Sequence, residues 1–440
     1  MENYIVKISI LLVMIIFIFH RDFRLNDNTA LIAAAKKAKE TDSKILPVFI
    51  FTPEQVTDKN PYKSTASIQF MIESLEDLNS QLRAADSQLF CFFGEPTAVL
   101  EKLTAAVSAT AICENLDYTP YAKQRSAAIQ QLCNKKQLEY IGEHDVYLHE
   151  PGTILNKSGR TFQKFTPFYE KAVALAVAHP DSSRPTAFPF AASSAASRLP
   201  AATSLSEQRK LRLQGDSKQL AEKGGRKEAL KILKGLPKIL IDYDTRKDTP
   251  SQETSYLSAH NHFGTVSIRE VYWTAKKAAR HDSPAFIRQL FWRDFYGNIV
   301  DAFEELYEVS PYKFMEKTAP GWNENRVEFN KWKKGETGHE LVDAGMKQLL
   351  ATGYIPNRVR LVCASYLAKE LKINWRWGER WFAQHLVDYD FTQNFCNWIW
   401  VASVLPFASA PFRRLDPEIQ LKKADPEHKY VDKWISKEKK

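Results

Sequence analysis

Residues 8–19 read ISILLVMIIFIF, an apolar run broken only by Ser9, and the assignment of this run decides the fold. A membrane-spanning helix needs about 20 apolar residues, so the run is too short to cross a bilayer. Length does not exclude a secretory signal, yet Glu2 and Lys7 make a poor basic leader, and His20, Arg21 and Asp22 follow where small cleavage-site residues belong. The reading that fits is a buried parallel strand, rich in β-branched and aromatic residues and stopped by a polar turn. Met14 would serve as an alternative start, because a strand needs only the second half of the run.

Downstream the chain alternates as an α/β layer does. Residues 29–39 (TALIAAAKKAK) carry an Ala-rich amphipathic helical pattern, and 44–51 (KILPVFIF) read as a second buried strand. Helices are predicted over 67–84 and 97–106, and strands over 88–93 and 109–114. Such alternation implies a doubly wound parallel sheet within a first domain at 1–145. No GxGxxG follows the first strand, so the dinucleotide-binding fingerprint is missing. Residues 180–206 are rich in Ala, Ser and Pro, and 146–215 are expected to connect the domains. Residues 208–234 are basic and mostly helical. Beyond Tyr243 strand signal disappears, and helical periodicity at 283–306, 338–349 and 357–371 predicts an all-helical domain within 216–440.

With 440 residues, 44% hydrophobic, 26% charged and 16 glycines, the chain is neither collagen-like, low-complexity nor disordered. A formal charge of +9 suggests an anionic partner without identifying it. The five cysteines are too scattered for a disulfide scaffold or a CxxC metal site, so buried thiols and no metal are expected. Tryptophan is distributed unevenly: all ten lie between Trp273 and Trp434.

Five blocks in the helical region are too specific for packing alone: 286–296 (FIRQLFWRDFY), 335–346 (GETGHELVDAGM), 354–360 (YIPNRVR), 375–381 (WRWGERW) and 388–400 (DYDFTQNFCNWIW). With residues 21–28 (RDFRLNDN), they resemble the photolyase and cryptochrome flavoprotein family, in order, from about Met14 to Trp434. The resemblance implies an α/β antenna domain followed by an all-α FAD-binding domain. It places FAD phosphates at 243–258 (YDTRKDTPSQETSYLS), where Thr254, Ser255 and Ser258 would offer hydroxyls and backbone N–H groups. Tyr243, Leu257 and Phe286 would join them around the cofactor. Glu253 stands where the family usually has glycine. Asp388 and Asp390 resemble the flavin-adjacent acids, with Arg360 as the ion-pair partner of Asp388. Asn394 matches the residue beside flavin N5; a neutral amide there suits an enzyme that keeps its flavin reduced. Trp398, Trp375 and Trp322 match the family's electron-transfer chain, whereas Trp332, Trp377 and Trp381 are expected to pack helices.

The same resemblance implies UV-damaged DNA as partner, with a pyrimidine dimer flipped out of the duplex into the site. Trp292 and Trp400 would stack on the flat bases, Arg293 and Arg358 would meet phosphates or lesion edges, and Asn357 would lie between flavin and lesion. Gln289 replaces the glutamate usual in cyclobutane photolyases and matches the residue of (6-4) photolyases. Those enzymes need a histidine pair where this chain has Asn357 and Arg358, so cyclobutane repair is the expectation. A (6-4) photolyase, or a cryptochrome-like photoreceptor without repair activity, is the alternative. Phe395 and Cys396 depart from the commoner Asn and Gly and add bulk near the flavin. A folate or deazaflavin antenna, a monomeric state, no membrane association and an intracellular location, cytoplasmic or nuclear, complete the expectation.

Overall fold

The computed structural model describes residues 13–213, 219–252, 254–278, 284–303, 321–404 and 413–435. The apolar run that opens the sequence becomes β1 (Val13–Ile18), with Met14 to Phe19 at most 2% exposed. Around it lie β2 (Lys44–Phe51), β3 (Phe90–Phe93), β4 (Ser108–Asn115) and β5 (Glu139–Glu143), all parallel, in the order β3-β2-β1-β4-β5. Met14, Ile16 and Ile18 enter the core on one face, and Ile15 and Phe17 the core on the other. A strand with helices on both sides must be apolar at every position, which is why the run lacks alternation. The turn after β1 reverses the sheet order between β1 and β4, and there Asn28 caps the helix Thr29–Glu40 by accepting from Leu31 N at 3.1 Å.

That turn is charged and buried. Arg24 donates to both carboxylate oxygens of Asp145 at 2.7 and 2.6 Å, while Arg269 from the helical domain meets Asp27 at 3.0 Å and Asp145 at 2.8 Å. Burying these charges is tolerable because each meets an opposite one with good geometry, and the network joins the two halves of the chain.

The helical domain has its own apolar core, centred on the helices Pro284–Ala302, Glu340–Thr352, Asn357–Ser365, Trp375–His385 and Phe391–Ala402. The stretch expected as a connector is packed at several points. Its helix Phe165–Ala172 buries Phe165 and Phe168 in the helical core, and Phe190 is bridged to Ile45 at the start of β2. The Ala, Ser and Pro content of 180–206 concealed Phe190 as an apolar anchor. All five cysteines are free and buried. Among the described residues, no helix is long and apolar enough to cross a membrane.

Candidate functional site

A cleft of about 310 Å³ opens among the segment after Tyr243, the helix Pro284–Ala302, the start of Asn357–Ser365 and the residues entering Phe391–Ala402. Tyr243, Thr254, Ser255, Leu257, Ser258 and Phe286 line one side. Opposite them Arg360 meets Asp388 at 2.9 Å, donates to the Ile355 carbonyl at 2.8 Å and lies over the Tyr354 ring. Asp388 Oδ1 and Asn261 Oδ1 are buried acceptors without a hydrogen-bond partner. The cleft therefore combines hydroxyl donors, a guanidinium and two acceptors that await a donor.

Asp390 lies deeper. It caps Phe391–Ala402 by accepting from Gln393 N at 3.1 Å, and its second oxygen meets Arg21 and His262. Burial by itself would raise its pKa, but Arg21 and His262 overcome burial and hold the carboxyl well below the usual range. Burial and Arg21 lower His262, which favours the neutral imidazole. Neither Arg21 nor His262 is suggested as a site residue by sequence, because the fold alone brings Asp390, 369 positions away from Arg21, into contact.

Further along the same helix, Asn394 donates from Nδ2 to the backbone carbonyl and to Oε1 of Glu379, each at 3.1 Å. Glu379 is fully buried; burial outweighs Arg376 and Asn394 and pushes its carboxyl up to about 7. The motif WRWGERW contains this glutamate, although its tryptophans are the more visible signal.

Trp398 lines the cleft and is 2% exposed; Trp375 is fully buried, and Trp322 is half-buried. Gly378, three residues past Trp375, leaves room for Trp398, since a Cβ there would lie 2.3 Å from its ring. Asn323, beside Trp322, bridges Ile373, which brings Trp322 alongside the strand-like turn leading to Trp375. Trp332 is buried against Phe382 and Trp398, as its packing role requires.

A second cavity, of about 560 Å³, sits at the C-terminal ends of β1, β2 and β4, where open parallel sheets bind ligands. Ile18, Phe49, Ile50, Ile68 and Phe263 give it apolar walls. Arg125 stands in its lining, 8% exposed, with Nε and Nη2 lacking a hydrogen-bond partner. Arg21 and His262 line this cavity too, so the Asp390 ion cluster separates it from the first cleft.

Residues 15–187 match the family model described as DNA photolyase, and residues 286–440 the one described as the FAD binding domain of DNA photolyase. A deoxyribodipyrimidine photo-lyase of Halobacterium salinarum is 31% identical over 96% of this chain and 88% of its own length. The chain belongs to the DNA photolyase family. Among solved photolyases, the Sulfolobus tokodaii protein, described with two FAD molecules, superposes with a TM-score of 0.82 at 34% identity, covering 96% of this chain and 90% of its own. The class III photolyase of Agrobacterium tumefaciens gives 0.85 at 30% identity, with 98% and 88% covered.

The cleft fits the FAD of this photolyase family. Its orphan acceptors, Asp388 Oδ1 and Asn261 Oδ1, suit the hydroxyl and N–H donors of a flavin dinucleotide, and Thr254, Ser255 and Ser258 suit phosphate oxygens. Residues 243–262 lie outside the matched FAD-binding segment yet build one side of the cleft.

At the rim, Gln289 and Asn357 are exposed and line the opening. Four residues expected at the DNA are engaged within the protein or lie outside the lining. Arg293 lines the cleft, but its terminal nitrogens donate to the backbone carbonyls of Val146 at 2.5 Å and Asn261 at 3.1 Å, with the guanidinium over Tyr147; it clamps chain segments instead of offering a free cation. Trp292 lies outside the cleft lining and stacks face to face on Phe165, with centroids 3.7 Å apart. Arg358 is paired with Asp248 at 2.8 Å. Trp400, half-buried under Arg413, also lies outside the lining. Glu253 falls outside the described residues.

Proposed function

We propose that the protein repairs UV-damaged DNA by splitting cyclobutane pyrimidine dimers under near-UV or blue light. The observation that carries this reading is a single cleft uniting the hydroxyl segment, the Arg360–Asp388 pair, Asn394 and the innermost indole, Trp398, beneath a rim bearing Gln289 and Asn357. Reduced FAD, when bound, supplies the light-excited electron that opens the dimer and is then returned. Thr254, Ser255 and Ser258 hold its phosphates, Arg360 and Asp388 orient it, and Tyr243, Leu257 and Phe286 exclude water. Asn394, its amide nitrogen held by Glu379, keeps its oxygen as an acceptor. Gln289 and Asn357 read the edges of the flipped pyrimidines, and Arg358 exchanges Asp248 for a DNA phosphate. Trp400 supplies the stacking face; Trp292, already stacked on Phe165, supports the wall behind it. Trp398, Trp375 and Trp322 relay electrons inward to restore the reduced cofactor.

The second cavity is the place for a light-gathering pigment with an anionic group, because Arg125 offers it two buried guanidinium nitrogens without a hydrogen-bond partner. Every residue invoked comes from one chain, so a monomer suffices, acting inside the cell where its DNA substrate is. Purified protein should show a flavin spectrum, and light should remove cyclobutane dimers from a UV-irradiated oligonucleotide. Loss of (6-4) products alone would reassign the lesion, binding without repair would make the protein a receptor, and absence of flavin would overturn the reading.

A further inference from the structure

Residues 21–28 carry part of the family resemblance, yet the function proposed above assigns them no role. Arg21 leaves the end of β1 and crosses to the helical domain. One terminal nitrogen meets Asp390, the other meets Asp117 at 3.3 Å, and Nε donates to the backbone carbonyl of His262 at 3.1 Å. Its side chain is 12% exposed and that of Asp390 5%. The approach is close enough to need a glycine: Gly264, at φ +60°, sits where a Cβ would lie 2.1 Å from the Arg21 carbonyl oxygen. The other groups facing Asp390 are His262, at 3.3 Å, the more distant charges of Arg293 and Asp117, and the neutral Tyr147 and Cys396.

Asp390 is also the N-cap of Phe391–Ala402, the helix that carries Asn394 and Trp398 to the cleft. Without Arg21 this carboxylate would be buried beside an imidazole and no cation in direct contact. A buried carboxylate so placed takes up a proton or rearranges, and either response disturbs the cap.

We propose that Arg21 is a positioning residue for the flavin: a cation delivered by the α/β domain that holds Asp390, and through its cap the first turn of the helix bearing Asn394 and Trp398. The inference rests on the flavin reading of the cleft. It makes cofactor retention a property of the contact between domains, not of the helical domain alone.

The test is FAD titration into full-length apoprotein, followed by flavin fluorescence and the fine structure of the flavin absorption band, with apoprotein melting as a folding control. Arg21→Gln should weaken FAD binding by about tenfold or more, and Arg21→Lys should recover most of that loss. In an Asp390→Asn background, Arg21→Gln should change affinity by less than about twofold, because the two residues act as a unit. Should Arg21→Gln not fold, Arg21→Lys measured with and without Asp390→Asn reads the same coupling. Equal FAD affinity of wild type and Arg21→Gln, or fully additive losses in the double variant, would overturn the proposal. Wild type that takes up no FAD would sink the flavin reading itself.

Discussion

The two cavities leave different hydrogen-bonding groups open. In the flavin cleft the protein supplies its own counter-ions: Arg360 pairs with Asp388, and Arg21 with Asp390. What remains open there are acceptors, Asp388 Oδ1 and Asn261 Oδ1. At the second cavity Asp117 meets Arg21 at 3.3 Å, and Arg125, whose charge reaches Asp117 and Glu114, keeps Nε and Nη2 without a hydrogen-bond partner. A site with spare acceptors selects a ligand rich in donors; a site with spare guanidinium N–H groups selects one rich in acceptors, an anion above all. The contrast assigns the cavities to different ligands before either is identified.

Breaking the paired side should have the largest effect. Arg360→Ala leaves Asp388 buried without its cation, and FAD affinity should fall by about 100-fold or more. Equilibrium dialysis of the apoprotein measures it. An unchanged affinity would mean that the pair serves only the fold.

Glu379 differs from Asp388 and Asp390, because its carboxyl has only a 3.9 Å approach to Arg376 and a bond from Asn394. Burial raises it to about 7 from the ordinary 4.5 of a glutamate, so its proton favours the folded state. That stabilisation is complete below about pH 4.5 and is lost as pH rises through about 7. Asp294, which burial also pushes up to about 7, acts in the same direction. Glu379→Gln should therefore remove on the order of 2 kcal/mol of the apoprotein's decline in stability across this window, leaving the part due to Asp294. Denaturant melts at several pH values would show parallel curves for variant and wild type if Glu379 were not protonated in the folded protein.

The second cavity is tested at Arg125. Arg125→Gln should reduce retention of an anionic pigment in the second cavity by about tenfold with FAD retained, as read by pigment extraction from purified protein. Joint loss of both chromophores would erase the distinction between the cavities.

Much of this was legible in the sequence, for reasons that differ by region. The sheet could be read because β1 and β2 are buried on both faces, so burial is written as uninterrupted hydrophobicity in 13–18 and 44–51. The cleft could be read because Arg360, Asp388, Asp390 and Asn394 sit in short blocks whose resemblance is local. Arg21, His262, Glu379 and Arg125 were not legible as site residues. Arg21 and His262 gain their roles from Asp390, 369 and 128 positions away, and Glu379 and Arg125 gain theirs from burial, whereas an isolated Arg or Glu is ordinarily a solvated surface group. Trp292 and Arg293 show the converse: the motif identifies the residues, but Phe165 and the Val146 carbonyl, which occupy them, come from the stretch read as a connector.

The smallest effect expected is also the most discriminating for the tryptophans. Trp375 is fully buried, does not line the flavin cleft, and packs against Phe395, which lines the second cavity. It therefore lines neither site. A residue so placed can carry electrons to the cofactor, but it has no contact through which to touch a lesion. Trp375→Phe keeps the aromatic volume and removes the easily oxidised indole, so photoreduction of the bound flavin should slow about tenfold or more. Dimer repair by protein reduced chemically beforehand should stay within about twofold of wild type, since its only route to the lesion is through packing that phenylalanine preserves. Photoreduction under steady blue light and repair of an irradiated oligonucleotide under anaerobic conditions give the two numbers. Equal losses in both would place Trp375 in the architecture of the cleft and take it out of the electron path.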